Sequence, residues 1–429
     1  MSRSDLVTGI DIGSSKITTL VAQYFPEEER INVIGVARTK ANGIRKGQIV
    51  NIEQATESLI ESVEAAERMA GSSISSAFIG ISASHISSVN SQGVVAVADS
   101  GGEISDTDVT RVIEAARAVS LPSSREIIHV IPRQFTVDGQ QGVITPNGMN
   151  GVRLEVEAHI VTASCPAIKN LSKSITEAGV QISGFVFSGF AAAESVLTST
   201  EKELGVVLVD IGAGTTTVSI YTESAPCYSA VLPVGASNVT NDLAVGLRVS
   251  LENAEKIKIA LAEIIDEKDK AESIQEDDEI ELKKLGIVDD ENHKISIKTS
   301  IDGIISPRLH ELFALIGEEI KKSGFGGTTP AGVVLTGGGA KTIGAKSTCQ
   351  RVLGLPVRIG IPEKIGGIVD DILSPEYASS LGVILYSIKQ KQVQKTFSFK
   401  FASLSKFKTN LPIKGIFGRL GEIIKPLLP

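Results

Sequence analysis

Val206-Val207-Leu208-Val209-Asp210-Ile211-Gly212-Ala213-Gly214-Thr215-Thr216-Thr217-Val218 is the stretch whose reading decides the fold. Its apolar run reads as a strand, the aspartate opens a tight turn of small residues, and a β-branched return strand completes a hairpin. The same plan stands near the N-terminus, where residues 6–10 run into Asp11-Ile12-Gly13-Ser14-Ser15-Lys16-Ile17-Thr18-Thr19. A third strand-and-glycine unit, Val333-Val334-Leu335-Thr336 into Gly337-Gly338-Gly339-Ala340, lies downstream. Two Asp-hairpins point to two copies of one domain plan, and helical patterns between them make the protein α/β.

The rest of the chain agrees with a globular protein of this class. Its 429 residues suggest two or three domains at ~150 residues each. Apolar residues make up 42% and charged residues 21%, enough apolar side chain to close a core and too little charge for disorder. Cys165, Cys227 and Cys349 lie far apart, which excludes a disulfide framework or a cysteine zinc site and favours a reducing compartment. The apolar runs are strand-length, and no basic-then-apolar leader precedes Asp5, so the expectation is a cytosolic protein.

Helical periodicity covers residues 53–69, 105–118, 168–178 and 250–264, with a capping-box-like Ser105-x-x-Asp108 opening the second. Residues 85–162 differ, with strand-like runs around one helix, and read as a small inserted α/β unit. Residues 390–411 show no sustained period and read as a linker.

Charge is divided sharply. From Lys389 onward nine Lys/Arg face one acid, leaving 33 basic against 49 acidic residues in front of them. An acidic body argues against nucleic acid as partner, and a basic tail points to an anionic surface. Within that tail Ile413, Ile416, Phe417, Leu420, Ile423 and Ile424 form one apolar stripe at helical spacing between Pro412 and Pro426. Lys414, Arg419 and Lys425 lie off the stripe, as in a helix that lies in the interface of an anionic membrane. Gly415, Gly418 and Gly421 lower its intrinsic helicity, so the helix is expected to form on binding.

The hairpins carry the chemistry. Turns of Gly13, Ser14 and Ser15, and of Gly212, Gly214, Thr215 and Thr216, let backbone N–H groups converge on an anion. Asp11 and Asp210 would repel phosphate themselves but can hold a divalent cation through water, and Lys16 adds a point charge. Two such hairpins facing each other would pinch a triphosphate. Gly337, Gly338 and Gly339 allow a flat ligand to lie against backbone. Glu255 and Lys258 share a helix face and, standing alone, read most simply as a surface ion pair.

Taken together these motifs resemble the phosphate, ribose and adenosine motifs of the actin and heat-shock-chaperone ATPases, and most closely the FtsA family of bacterial division actins. Glu203-Leu204-Gly205, Leu232-Pro233-Val234-Gly235, Pro132-Arg133-Gln134-Phe135 and the insertion look like that family too. The resemblance implies an actin-like two-lobed fold with duplicated core domains. Its first core would comprise residues 1–84, 163–195 and 376–389, with 85–162 inserted. The second core would comprise 196–224 and 301–375, with a small subdomain at 225–300, a linker at 390–411 and an amphipathic helix at 412–429. It implies ATP between the lobes, Mg²⁺ near Asp11 and Asp210, ribose at Glu255 and Lys258, and adenine near Gly338 and Gly339. It further implies head-to-tail filaments, other division proteins as partners, and a place at the division site on the cytoplasmic face of the membrane. The tubulin-like protein FtsZ would bind through its C-terminal peptide at residues 225–300 and the helix after Ser306, with Arg308 as a candidate contact. One departure concerns hydrolysis. Where relatives place an acid or amide to position water, this chain has Phe187-Ser188-Gly189-Phe190-Ala191 and no acid until Glu194, so slow or negligible ATPase activity is expected. An actin-fold small-molecule kinase and a pilus-assembly adaptor are the alternatives.

Overall fold

Both Asp-hairpins sit inside sheets, because runs such as Val206 to Val209 have no polar face to offer water. The computed structural model describes residues 4–268, 278–287, 294–363, 365–367 and 372–404. Residues 1–387 form one compact unit and 388–429 a second. β1 (Asp5–Ile12), β2 (Lys16–Phe25) and β3 (Arg30–Lys40) make an antiparallel meander. A ribbon of β4 (Ile44–Arg45) and β5 (Gln48–Ile49) leads to α1 (Ile52–Ala70) and β6 (Ser76–Ile81). Asn51 caps α1 by accepting the Gln54 N–H, and Ala55, Leu59, Val63 and Ala66 form its buried stripe.

The inserted unit follows as β7 (Ser87–Ala96), α2 (Asp106–Arg117), β8 (Arg125–Val137), β9 (Gln140–Val143) and β10 (Arg153–Ser164). Its helix starts at a true capping box between Ser105 and Asp108, and it has a core of its own around Val112, Phe135 and Leu154. The chain returns through α3 (Cys165–Glu177), β11 (Gln181–Phe187), α4 (Ser188–Val196) and α5 (Ser199–Leu204). The second half runs β12 (Val206–Ile211), β13 (Thr216–Thr222), β14 (Ala225–Leu232), α6 (Ala236–Leu247) and α7 (Leu251–Lys268). It continues with β15 (Glu279–Glu281), β16 (Lys294–Ser296), α8 (Ser306–Ser323), β17 (Val333–Thr336), α9 (Ala345–Leu353), β18 (Val357–Ile359), β19 (Gly366–Gly367) and α10 (Ala378–Leu404).

The duplication shows in strand order. One sheet runs β11-β6-β1-β2-β3-β19 and the other begins β18-β17-β12-β13-β14, with parallel and antiparallel pairs at matching places. Each half therefore repeats a five-strand plan. The insertion, although it interrupts the first half in sequence, extends the second sheet as β7-β10-β8-β9. β7 meets β14 at Ser87 and Ala230, and His159 on β10 bonds Asn90 and Ser229 across that seam.

Two boundaries expected from sequence shift. β14 belongs to the core sheet, since its alternating residues pair with β13, so the small subdomain starts after Leu232 rather than at residue 225. α10 continues to Leu404, so residues 390–404 of the expected linker are helical. The stretch holds no proline and only two β-branched residues, which leaves the helix free to propagate. The membrane residues Ile413, Ile416, Phe417, Arg419, Leu420, Ile423, Ile424 and Lys425 lie outside the described residues.

Candidate functional site

The two hairpins close in the same way. Gly13 donates its N–H to the Lys16 carbonyl at 3.1 Å, and Gly212 to the Thr215 carbonyl at 2.9 Å. Ile12 pairs Ile17 and Ile211 pairs Thr216, so Asp11 and Asp210 occupy equivalent places one residue before each turn. The turns approach each other, and a Cβ added to Gly214 would stand 2.7 Å from Ser14 Oγ. Between and beyond them lies a cleft of about 1930 Å³.

Of the residues expected at a ligand, Asp11, Gly13, Ser14, Ser15, Lys16, Asp210, Gly212, Gly214, Thr215, Glu255, Lys258 and Gly337 to Gly339 all line this cleft. Thr216 does not. Strand alternation turns it away from Thr215 and Thr217, and its buried hydroxyl donates to the Val234 carbonyl at 2.8 Å. Thr217 takes the cleft side, where it meets Ser82 Oγ at 2.8 Å.

The aspartates are the electrostatic centre. Burial pushes the Asp11 carboxyl above its ordinary range, against a hydrogen bond from Ser380 Oγ at 2.9 Å and the charge of Lys16. Burial pushes Asp210 up to about 6, opposed by the Ser379 hydroxyl at 2.6 Å and assisted by the negative charge of Asp11. Two carboxyls whose charged forms burial disfavours, one of them further disfavoured by the other's charge, are poised for a cation. Two carboxylates with adjacent hydroxyls suit Mg²⁺, which keeps most of its shell as water and phosphate oxygen. Among the described residues no cluster of three or more acidic, His or Cys ligands competes for that role.

Lys16 reaches across the cleft to Glu376, with Nζ 3.0 Å from Oε2, and lies over the Tyr377 ring. Arg38 and Lys341 approach the same carboxylate at 3.1 and 3.5 Å. Burial acts to raise the Glu376 carboxyl, but Lys16, Arg38 and Lys341 together hold it below its ordinary value. The buried Lys258 ammonium bonds Glu255 Oε2 at 2.7 Å and Thr240 Oγ1 at 2.9 Å, so the pair is a fixed part of the wall rather than a loose surface bridge. Gly337, at φ 83°, lies against Asp210, where any side chain would strike Oδ1. Glu194 pairs with Lys202 at 2.9 Å and does not line the cleft. Arg308, expected to await a partner's carboxylate, is already engaged by Asp242 at 2.5 and 3.0 Å and by Glu311.

Sequence reading missed Ser379, Ser380, Glu376, Arg38 and Lys341. The first three follow Ser374-Pro375, a helix-start signal, but nothing local says that this helix begins against Asp11 and Asp210.

Comparisons agree with the geometry. A family model described as "SHS2 domain inserted in FTSA" matches residues 83–162, and "Cell division protein FtsA" matches 207–382. The cell division protein FtsA of Pseudomonas aeruginosa is 36% identical over 95% of both chains. That of Borreliella burgdorferi is 36% identical over 97% of this chain and 99% of its own. That of Escherichia coli K12 is 32% identical over 89% and 90%. Among solved structures, a PilM-PilN type IV pilus biogenesis complex aligns with TM-score 0.60 at 16% identity, over 89% of this chain and 98% of that one. MreB5 of Spiroplasma citri bound to ADP aligns with TM-score 0.51 at 13% identity, over 92% and 98%. These two share the actin-like fold. With relatives above 30% identity along nearly its whole length, the chain belongs to the FtsA family of cell division proteins.

Proposed function

We propose that this division protein binds ATP with Mg²⁺ in the cleft, hydrolyses it slowly or not at all, polymerises head to tail, and tethers FtsZ filaments to the cytoplasmic face of the membrane through residues 412–429. The observation that carries the reading is the convergence of two equivalent Asp-hairpins, Lys16 and the Glu255–Lys258 pair on one cleft. Asp11 and Asp210 would hold the hydrated metal, which neutralises the phosphates when bound. The hairpin N–H groups and Lys16 orient the phosphate chain, and Gly338 leaves the backbone open at the base side. The ADP held by the fold neighbour MreB5 is consistent with a nucleotide here. Slow hydrolysis follows from the absence of an acid on the cleft side of α4, since positioning supplies most of the rate in phosphoryl transfer.

The test is sedimentation of the full chain with anionic vesicles, with and without Mg-ATP, followed by negative-stain microscopy. Expected are pelleting that is lost on deleting residues 413–429 and filaments that require ATP. Pelleting that survives the deletion would refute the tail's role, and equal filament yield without nucleotide would refute the role of the cleft. Capture by the C-terminal peptide of FtsZ separates this reading from the pilus-adaptor alternative.

A further inference from the structure

The inserted unit turns one buried histidine toward each half of the protein. β8 and β10 pair side by side, with His129 opposite Val161 and His159 opposite Ile131, and both rings are buried. They pack edge-on against Phe190 of α4, with ring centroids 5.2 and 6.2 Å away. His159 faces the second half, where its Nε2 meets Ser229 Oγ on β14 at 3.0 Å. His129 faces the first. The Phe187 N–H donates to its Nε2 at 2.9 Å, and its Nδ1 lies 3.2 Å from the Tyr386 hydroxyl on α10.

One form of His129 satisfies both partners. Burial holds the imidazole well below its ordinary pKa, so the ring is neutral, with one donor and one acceptor. Nε2 accepts from the backbone, so the proton sits on Nδ1 and is donated to Tyr386. Both partners lead to the cleft. Phe187 ends β11, and the next residue, Ser188, lines the cleft. Tyr386 lies about two turns along α10 from Ser379 and on the same face, and Ser379 and Ser380 donate to Asp210 and Asp11. α4 and α10 are also locked together, because a Cβ added to Gly382 would stand 1.8 Å from the Ala191 carbonyl oxygen. From the inserted unit, His129 thus grips the two helices that border the paired aspartates.

We infer that His129 is a positioning residue through which the inserted unit and the nucleotide cleft set each other's conformation. The inference rests on the nucleotide reading above and adds a regulatory route to it. Asp11 and Asp210, on engaging a ligand, change their pull on the Ser380 and Ser379 hydroxyls, and so on the first turn of α10. That shift reaches Tyr386 along the helix and α4 through Gly382 and Ala191, so His129 must follow or lose a bond. A buried N–H left without its acceptor costs about 1–3 kcal/mol, which favours following. Coupling between sites is reciprocal, so whatever docks on the inserted unit and moves β8 alters nucleotide affinity by the same factor.

The experiment follows backbone hydrogen exchange of the full chain, in Mg²⁺, with and without a saturating non-hydrolysable imido analogue of ATP. In the parent the analogue is expected to slow exchange at the two hairpin turns and also, by about fivefold or more, in β8 and β10. His129→Leu fills the space without either hydrogen bond. It should keep the response at the turns and cut that in β8 and β10 to within about twofold. Tyr386→Phe removes only the α10 arm of the joint and should lower the same response to about half; it decides the matter should His129→Leu not fold. Val112→Ala opens a cavity in the inserted unit's own core and spares His129, so it should lower stability yet keep the full response. An unresponsive β8 and β10 in the parent, or an undiminished response in the deciding variant, overturns the inference while the cleft reading stands. A response lost equally in Val112→Ala overturns it too, since His129 would then be merely structural. If the analogue changes exchange nowhere, the cleft reading fails and takes this inference with it.

Discussion

Gly337→Ala tests how tightly the second hairpin and the glycine triplet are built together. Gly337 adopts φ 83° and ψ 166°, a backbone region essentially confined to glycine, which costs an alanine about 1–3 kcal/mol. An added Cβ would stand 2.2 Å from Asp210 Oδ1 and 2.6 Å from the Ile211 carbonyl oxygen. Neither can retreat easily. Asp210 is held by Ser379, and Ile211 sits in the β12–β13 ladder. Overpacking of this kind costs about 1–3 kcal/mol, so the sum is about 2–6 kcal/mol. At a urea slope of about 3 kcal/mol/M the midpoint should fall by about 1 M. Because the chain has no tryptophan, circular dichroism is the suitable probe. Gly338→Ala is the internal control. Its Cβ would meet only Glu376 Cβ, at 3.7 Å, and its φ is ordinary, so its midpoint should stay within about 0.2 M of the parent. Equal midpoints for the two variants would refute the claim that Gly337 is dictated by contact with Asp210.

Glu376→Gln should tighten nucleotide binding about fivefold in equilibrium titration, because a carboxylate that holds Lys16, Arg38 and Lys341 competes with phosphate for them. Weaker binding would mean that Glu376 helps the ligand instead. Asp210→Asn should make the nucleotide-free protein about 1–2 kcal/mol more stable, by removing a buried charge that Asp11 repels, while abolishing any tightening of nucleotide by Mg²⁺. Loss of stability in denaturant would contradict this. His129 and His159 predict acid lability. Burial pushes them down to about 4 and about 3, with Arg133 and His129 adding to the effect at His159. Both are neutral when folded, so the unfolded chain takes up protons first, and stability is lost as pH falls from ~6.5 through ~4. Each histidine can account for about 3 kcal/mol of that loss. Flat urea midpoints between pH 7 and 5 would rule this out.

The sequence exposed what depends on local pattern. The Asp-hairpins, the helices at 53–69 and 105–118, and the insertion are set by apolar period, turn chemistry and caps, which lie within a few residues of each other. It concealed what depends on register over long separations. Ser380 meets Asp11 across 369 positions and Ser379 meets Asp210 across 169, contacts that exist only once the start of α10 has reached both hairpins. Thr216 shows a finer limit. Three consecutive threonines offer the same chemistry on paper, and only the pleat decides that Thr215 and Thr217 face the cleft while Thr216 bonds Val234. The linker failed for a related reason, since lack of an amphipathic period does not prevent a helix where propensity is adequate.

The duplication also explains why the cleft is asymmetric. Lys16 and Thr215 hold the same turn position in their hairpins, each accepting the N–H of the glycine three residues earlier. One carries an ammonium that spans the cleft, and the other a buried hydroxyl near Ser82. Two lysines here would place a pair of like charges on facing turns whose backbones are already close, as Gly214 and Ser14 show. Two hydroxyls would leave neither turn with a cation of its own. The repeated scaffold therefore supplies matching backbone cradles, and divergence at this one position gives the cleft a direction.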